Sequence, residues 1–332
     1  MDDRQHRPRV PRERPGVTPS VGAAVARVDA DDKVTGSALY VDDLSFTGML
    51  HAALVLPGTA HARLLAVDPT AALALRGAVA VLTAADIPGR NQVGVVESDQ
   101  PLLPECRIRY SGDAVALVVA ESAAAARDAA RAVHIVAEEL PAVFDAVEAR
   151  SADAPLVHEE RRAELEERRG RGEGDVSGNT FLHFKVRKGD VARGFADADV
   201  VVERTFRTFH QEHAYLEPLG AIAVPEENGS ITVYGTMQCP YYVQKAVATV
   251  LGLPLASVRV IQTVTGGGFG GKEDVPSEIC ACAALAAWRV RRPVKLVYSR
   301  EEDFYRSSKR HPMAVTFKLG ATREGRFIAA EV

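Results

Sequence analysis

Cysteine is scarce in this chain, and its four copies, Cys106, Cys239, Cys280 and Cys282, fall in no zinc or iron–sulfur spacing. Cys280 and Cys282 lie two apart on an expected helix and so point in different directions. Scattered thiols in a chain this long exclude a disulfide scaffold and suit a reducing cytoplasm. Long apolar runs are also missing. None approaches the roughly 20 residues that a membrane-spanning helix needs. Neither sign of charge dominates: the net charge is −4, which leaves no footprint for nucleic acid or an anionic membrane. The opening residues 1–16 are rich in Arg and Pro and contain no apolar stretch, which argues against a secretory signal. Residues 1–24 are expected to be a disordered arm. Of nine histidines only His210 and His213 cluster, with no third metal ligand near them in sequence, so a structural role is expected.

What remains is ordinary globular material, 47% apolar and 25% charged over 332 residues, enough for two domains. Residues 25–150 alternate strands and helices. Strands are expected at 49–56, 77–82, 113–120 and 134–138, with an Ala-rich helix at 122–132 and a turn opened by Thr83. Asp42 and Asp43 read better as a turn than as a metal pair. Residues 151–178 are expected to be a charged linker, in which 159–178 are rich in Glu, Arg and Gly with no apolar stripe and suggest a solvated helix. The second domain is expected over 179–332. Its strands are 200–208, 222–225, 231–236 and 258–264, and its helices run from Pro240 to a stop at Gly252 and over 276–290. The chain closes on an expected strand, 327–332. The fold class is α+β.

Chemistry concentrates in one string, Gly266-Gly267-Gly268-Phe269-Gly270-Gly271-Lys272-Glu273, between an expected strand and an expected helix. Five glycines in six positions are costly inside a regular element. Bare backbone at such a junction is where proteins hold anionic or oxygen-rich groups. Three readings compete. Gly266, Gly271 and Lys272 fit a P-loop, but Glu273 stands where a magnesium-binding hydroxyl belongs. Gly266, Gly268 and Gly271 fit a dinucleotide fingerprint, but the expected acid about 20 residues on is replaced by Trp288-Arg289-Val290-Arg291-Arg292.

The third reading takes the whole string, which resembles the molybdopterin-site loop of the xanthine dehydrogenase and aldehyde oxidase family. Other segments, in the same order as in that family, carry the same resemblance: Lys33-Val34-Thr35-Gly36, Tyr40-Val41-Asp42-Asp43-Leu44, Gln211-Glu212-His213-Ala214-Tyr215-Leu216-Glu217, Thr236-Met237-Gln238 and Lys309-Arg310-His311-Pro312. The resemblance covers about residues 20–332. It implies a small hammerhead-like α/β domain followed by the first part of a mixed α/β molybdopterin-binding domain.

The resemblance also implies roles. Gln238 and Phe269 would stand beside the molybdenum without ligating it, Gln238 donating its amide and Phe269 excluding water. Gly267, Gly268, Gly270 and Gly271 would present backbone N–H groups to a molybdopterin, plain or as the cytosine dinucleotide. Glu273 would recognise a purine or related N-heterocycle, because a carboxyl group can hydrogen-bond such a ring. The blander reading of each is a helix-start amide for Gln238, a core plug for Phe269 and a salt bridge for Glu273. Iron–sulfur clusters and FAD are implied on partner chains, and the assembled complex is expected to dimerise. The family's general base and substrate clamp lie beyond the matched segment. The chain is therefore expected to be inactive alone, whether truncated, decayed or one piece of a split subunit. An unpaired strand edge and exposed apolar surface are expected to promote aggregation. Outside this family, the alternatives are a nucleotide-binding enzyme using the glycine loop on phosphates and a cofactor-free assembly protein.

Overall fold

The computed structural model describes residues 21–25, 27–96, 99–161, 167 and 178–332. The expected arm, up to residue 20, and the charged stretches 162–166 and 168–177 of the expected linker lie outside the described residues. The described residues up to Leu39 form one unit, whose helix, Ala30–Thr35, ends on Gly36 in the left-handed conformation. Residues Tyr40–Val332 form the second unit.

In the second unit, the first six strands are β1 (Leu50–Val55), β2 (Ala62–Asp68), β3 (Ala78–Leu82), β4 (Arg107–Ile108), β5 (Ala116–Ala120) and β6 (His134–Glu139). The remaining seven are β7 (Val200–Thr208), β8 (Gly220–Pro225), β9 (Ile231–Gly235), β10 (Val258–Gln262), β11 (Val294–Val297), β12 (Met313–Ala321) and β13 (Phe327–Glu331). They make a mixed seven-stranded sheet, ordered β10-β9-β8-β11-β1-β5-β3, and two three-stranded sheets, β13-β12-β7 and β4-β2-β6. This is the expected mixed α/β class. Strands from before and after residues 150–180 share the large sheet. β1 pairs in parallel with β11, which joins strands from both halves of the chain, and one apolar cluster runs from Leu50 to Tyr298.

Local sequence explains the main elements. β5 is buried at every position, as its unbroken apolar run requires. Ser122 caps the Ala123–Ala132 helix by accepting from Ala125 N–H, an orphan donor of the first turn. The Pro240–Leu251 helix starts on Pro and stops at left-handed Gly252. The Pro276–Val290 helix is buried from Pro276 to Ala287. Its Ala and Cys side chains are small, so it packs on β8, β9 and β11 with no polar face. Cys280 and Cys282 do point in different directions, and both are buried because every side of this helix is covered there. Asp42 and Asp43 lie in a short 3-10 turn, where Asp43 accepts from Tyr40 N–H and Asp42 takes the buried Lys295. No cluster of metal-ligating side chains occurs among the described residues, and no helix among them is long and apolar enough to cross a membrane.

Candidate active site at the glycine loop

β9 and β10 are parallel neighbours, so their C-terminal ends lie side by side. Gln238 follows the first and loop 266–272 follows the second. The tertiary fold thus brings together two junctions that are 34 residues apart between Gln238 and Lys272.

The amide of Gln238 is the bridge between them. Its backbone N–H donates to Lys272 O at 2.6 Å. Its side-chain Oε1 accepts from Gly270 N–H at 3.1 Å and Lys272 N–H at 3.3 Å. Two converging donors fix the amide with its oxygen inward, which leaves the Nε2 donors free of protein partners among the described residues. Gln238 therefore does not serve its own helix start. It ties the loop to the strand end and presents a neutral donor outward.

Glycine is required here by close approach. A Cβ on Gly268 would meet Gln238 Oε1 at 2.5 Å, and one on Gly271 would meet His213 Cγ and Nδ1 at 2.7 Å and Tyr215 Cε1 at 2.8 Å. Of the four expected N–H donors, two are used within the protein. Gly270 donates to Gln238, and Gly271 donates to Gly268 O at 2.8 Å. The N–H groups of Gly267, Gly268 and Phe269 have no hydrogen-bond partner among the described residues. Phe269 holds the left-handed conformation, φ +54°, and its side chain is 78% exposed. That backbone costs about 1–2 kcal/mol for a residue with a Cβ. It is no core plug: it stands at the mouth of the site.

Lys272 and Glu273 point opposite ways. Lys272 is 0% exposed, and its ammonium donates to Glu217 Oε2 at 3.0 Å and Thr236 Oγ1 at 2.8 Å, 4.5 Å from the Tyr215 ring centroid. Burial lowers its pKa, and Glu217 opposes that shift. With its donors so engaged, Lys272 is not the phosphate-facing lysine of a P-loop. Glu273 is exposed and forms no salt bridge among the described residues, so the pairing with Lys272 considered from sequence does not occur. Its charge, with that of Asp274, adds to burial in raising the pKa of the Cys239 thiol.

Segment 211–217 is the floor of the loop. Tyr215 is buried and its hydroxyl donates to Asp303 Oδ1 at 3.0 Å, while Arg300 donates to the carbonyls of Tyr215 and Leu216 at 2.8 Å each. Ala214, between His213 and Tyr215, is also left-handed, φ +48°. Glu212 pairs with Lys309 at 2.5 Å, and Gln211 O accepts from Arg310 N–H at 3.0 Å. Two motif segments far apart in sequence are thereby joined. His213 lies against Gly271 with its Nδ1 buried, without a hydrogen bond and 3.9 Å from Glu212 Oε1, and His210 is exposed. The roles of Glu217 and Thr236 were missed at the sequence level. Both stood in quoted motifs, but nothing local shows that they share Lys272.

Two strand ends, a glycine-lined junction and outward neutral donors make this the candidate ligand site of an α/β fold. Comparison with known proteins gives it a family. A profile described as "Molybdopterin cofactor-binding domain" matches residues 174–332. One described as "Aldehyde oxidase and xanthine dehydrogenase, a/b hammerhead domain" matches residues 35–141. The nicotinate dehydrogenase large molybdopterin subunit of Eubacterium barkeri is 37% identical over 312 residues, 94% of this chain and 69% of that protein. A probable xanthine dehydrogenase subunit of Bacillus subtilis is 35% identical, over 92% of this chain and 38% of its own length. The aldehyde oxidoreductase structure from Desulfovibrio desulfuricans superposes with a TM-score of 0.82 at 27% identity, covering 93% of this chain and 34% of that one. The chain belongs to the xanthine dehydrogenase and aldehyde oxidase family of molybdopterin oxidoreductases, and it spans only part of the length of these relatives.

Proposed function

We propose that this chain forms part of a molybdenum-dependent hydroxylase that oxidises a purine or related N-heterocycle with oxygen from water. The observation that carries the reading is the division of labour in loop 266–273. Its cation, Lys272, turns inward to Glu217, while neutral donors and one free carboxylate face out. Such a wall fits a molybdopterin, whose oxygen and sulfur acceptors take hydrogen bonds. A triphosphate would leave the inward lysine unused. Gln238 Nε2 and the N–H groups of Gly267, Gly268 and Phe269 would hold the group. Gly270 and Gly271 would let the backbone come close to it. The Phe269 ring would screen the site from water.

When bound, molybdopterin supplies the redox chemistry that hydroxylates an electron-poor carbon. The residues of this chain orient the substrate and polarise it. Glu273 would hydrogen-bond the ring and stabilise charge that builds on it in the transition state. The names of two relatives, nicotinate dehydrogenase and xanthine dehydrogenase, support a nitrogen heterocycle as substrate. We place the electron acceptors, iron–sulfur clusters and FAD, on partner chains. The pterin is either plain or the cytosine dinucleotide.

The test is molybdenum and iron analysis of the chain isolated with its native partners, followed by a heterocycle screen that starts with purines. Molybdenum near one per chain is expected. Glu273→Val should lower kcat/KM on the preferred heterocycle by about 10²–10³, the usual cost of one transition-state hydrogen bond, with molybdenum retained. A molybdenum-free complex would overturn the reading.

A further inference from the structure

One carboxylate oxygen holds both ends of the glycine loop. Glu217 Oε2 accepts from Gly266 N–H at 2.7 Å, where the loop begins, and from Lys272 Nζ at 3.0 Å, where it ends. It also accepts from Thr236 Oγ1 at 2.7 Å, two residues before Gln238. The backbone N–H of Glu217 returns a bond to Gly266 O at 3.1 Å. Lys272 is fully buried, and its ammonium donates to Thr236 Oγ1 as well. The free donors of the site, on Gly267, Gly268, Phe269 and Gln238, are all carried by chain segments that converge on this one group.

We propose that Glu217 is the positioning residue of the site: through Gly266, Lys272 and Thr236 it closes the loop and sets the direction of its outward donors. A buried ion pair is a weak source of stability, because desolvation offsets the attraction, and apolar residues of similar size often replace such a pair at little cost to the fold. What apolar residues cannot replace is the convergence of three donors on one oxygen. Loop order and fold stability should therefore separate. The clamp itself is a property of the cofactor-free chain. Its service to a cofactor rests on the function proposed above.

The test is hydrogen–deuterium exchange on the purified full chain without cofactor. The native protein is compared with Glu217→Gln, which keeps shape and removes charge, and with Glu217→Leu/Lys272→Met, which makes the pair apolar. Peptides covering loop 266–272 are read against peptides from β8 and β9. In whichever variant melts as a single transition, the loop amides should exchange at least about tenfold faster while the strands change little, a local opening rather than a global one. Unchanged loop exchange would overturn the proposal. So would a rise matched in β8 and β9, or failure of both variants to fold, since Glu217 would then be a core residue and nothing more. Molybdenum content of the native complex separates the two proposals. A molybdenum-free wild type with a loosened variant loop refutes the function and leaves the clamp standing. A molybdenum-loaded wild type with an unmoved variant loop does the reverse.

Discussion

Gly271 leaves no room for a methyl group. Its Cβ would sit within 2.8 Å of Tyr215 Cε1 and 2.7 Å of the His213 ring, and Tyr215 is anchored by Asp303 and so cannot retreat. Gly271→Ala should cost about 1–3 kcal/mol through overpacking, read as a lower denaturation midpoint. Gly229→Ala, where a Cβ meets nothing within 4 Å, is a control for backbone strain alone because Gly229 has φ +80°. Gly271 lies outside the positive-φ region, so its loss reports the contact alone, and a Gly271→Ala variant as stable as the native protein would mean that the contact yields without cost. Cys239 reports on Glu273 at the same scale. Burial and the charges of Glu273 and Asp274 raise its pKa, so less of it is thiolate near pH 8 than for an ordinary cysteine. Glu273→Gln removes one negative charge, lowers that pKa and should speed alkylation of Cys239 at pH 8 by about twofold, the size of a fraction of a pK unit at an exposed site. An unchanged rate would mean that the two groups do not interact. Cys282, pushed up to about 12 by burial, should react only on unfolding.

Helices 276–290 and 300–306 are locked to the N-terminal half of the same unit by a buried network. Arg306 donates to Glu278 Oε2 at 2.7 Å, to Tyr298 Oη at 3.0 Å and to the carbonyl of Gly112, and Glu278 Oε1 takes Gln100 Nε2 at 2.7 Å. Each group is satisfied only by the others, so removing one leaves an uncompensated buried charge. Glu278→Ala should cost about 3–5 kcal/mol, whereas Glu278→Leu/Arg306→Met should cost far less, since no charge is then stranded. Chemical denaturation of the native, single and double variants measures the difference. A double variant as unstable as the single one would show that the network contributes more than charge balance. The sequence placed both ends of helix 276–290, because Pro276 and the positive residues after Val290 mark them. Its locking partners, Gln100 and Gly112, were invisible, since side-chain contacts between residues 178 apart leave no local signal.

At the scale of the whole chain, the sheet β13-β12-β7 is covered on one face only among the described residues. The Val191–Ala196 helix approaches Gly320, where a Cβ would meet Phe195 and Ala198 at 3.1 Å. The opposite face carries the pairs Val202 with Leu319, Arg204 with Phe317 and Phe206 with Val315. Phe206 is 57% exposed there, and its ring stands edge-on to Phe317 at 6.1 Å. An apolar sheet face beside the exposed strand β7 favours self-association. The purified chain should therefore gain mass with concentration in sedimentation, and Phe206→Lys should suppress this without lowering the melting temperature. A monodisperse native chain at high concentration would count against the prediction.

Strand and helix boundaries were legible because they rest on local physics: β5 is an unbroken apolar run, Pro240 and Gly252 start and stop a helix, and Ser122 caps one. Strands β2, β4, β11 and β12 escaped notice: β4 has two residues, and the other three break their apolar residues with Arg63, with Lys295, or with Thr316 and Lys318. The family was legible in ordered motifs, and so were the candidate residues Gln238, Phe269 and Glu273. By itself, then, the sequence determined which segments are regular, where backbone must be bare and which side chains gather near it. Only the tertiary structure decided that β1 and β11 are neighbours, that Lys272 turns inward while Glu273 turns out, and that Glu217 holds both ends of the loop. The physical reason is the same in each case. Period, cap and glycine content act over a few residues, whereas the direction of a lysine depends on a carboxylate 55 residues away that only the closed sheet brings beside it.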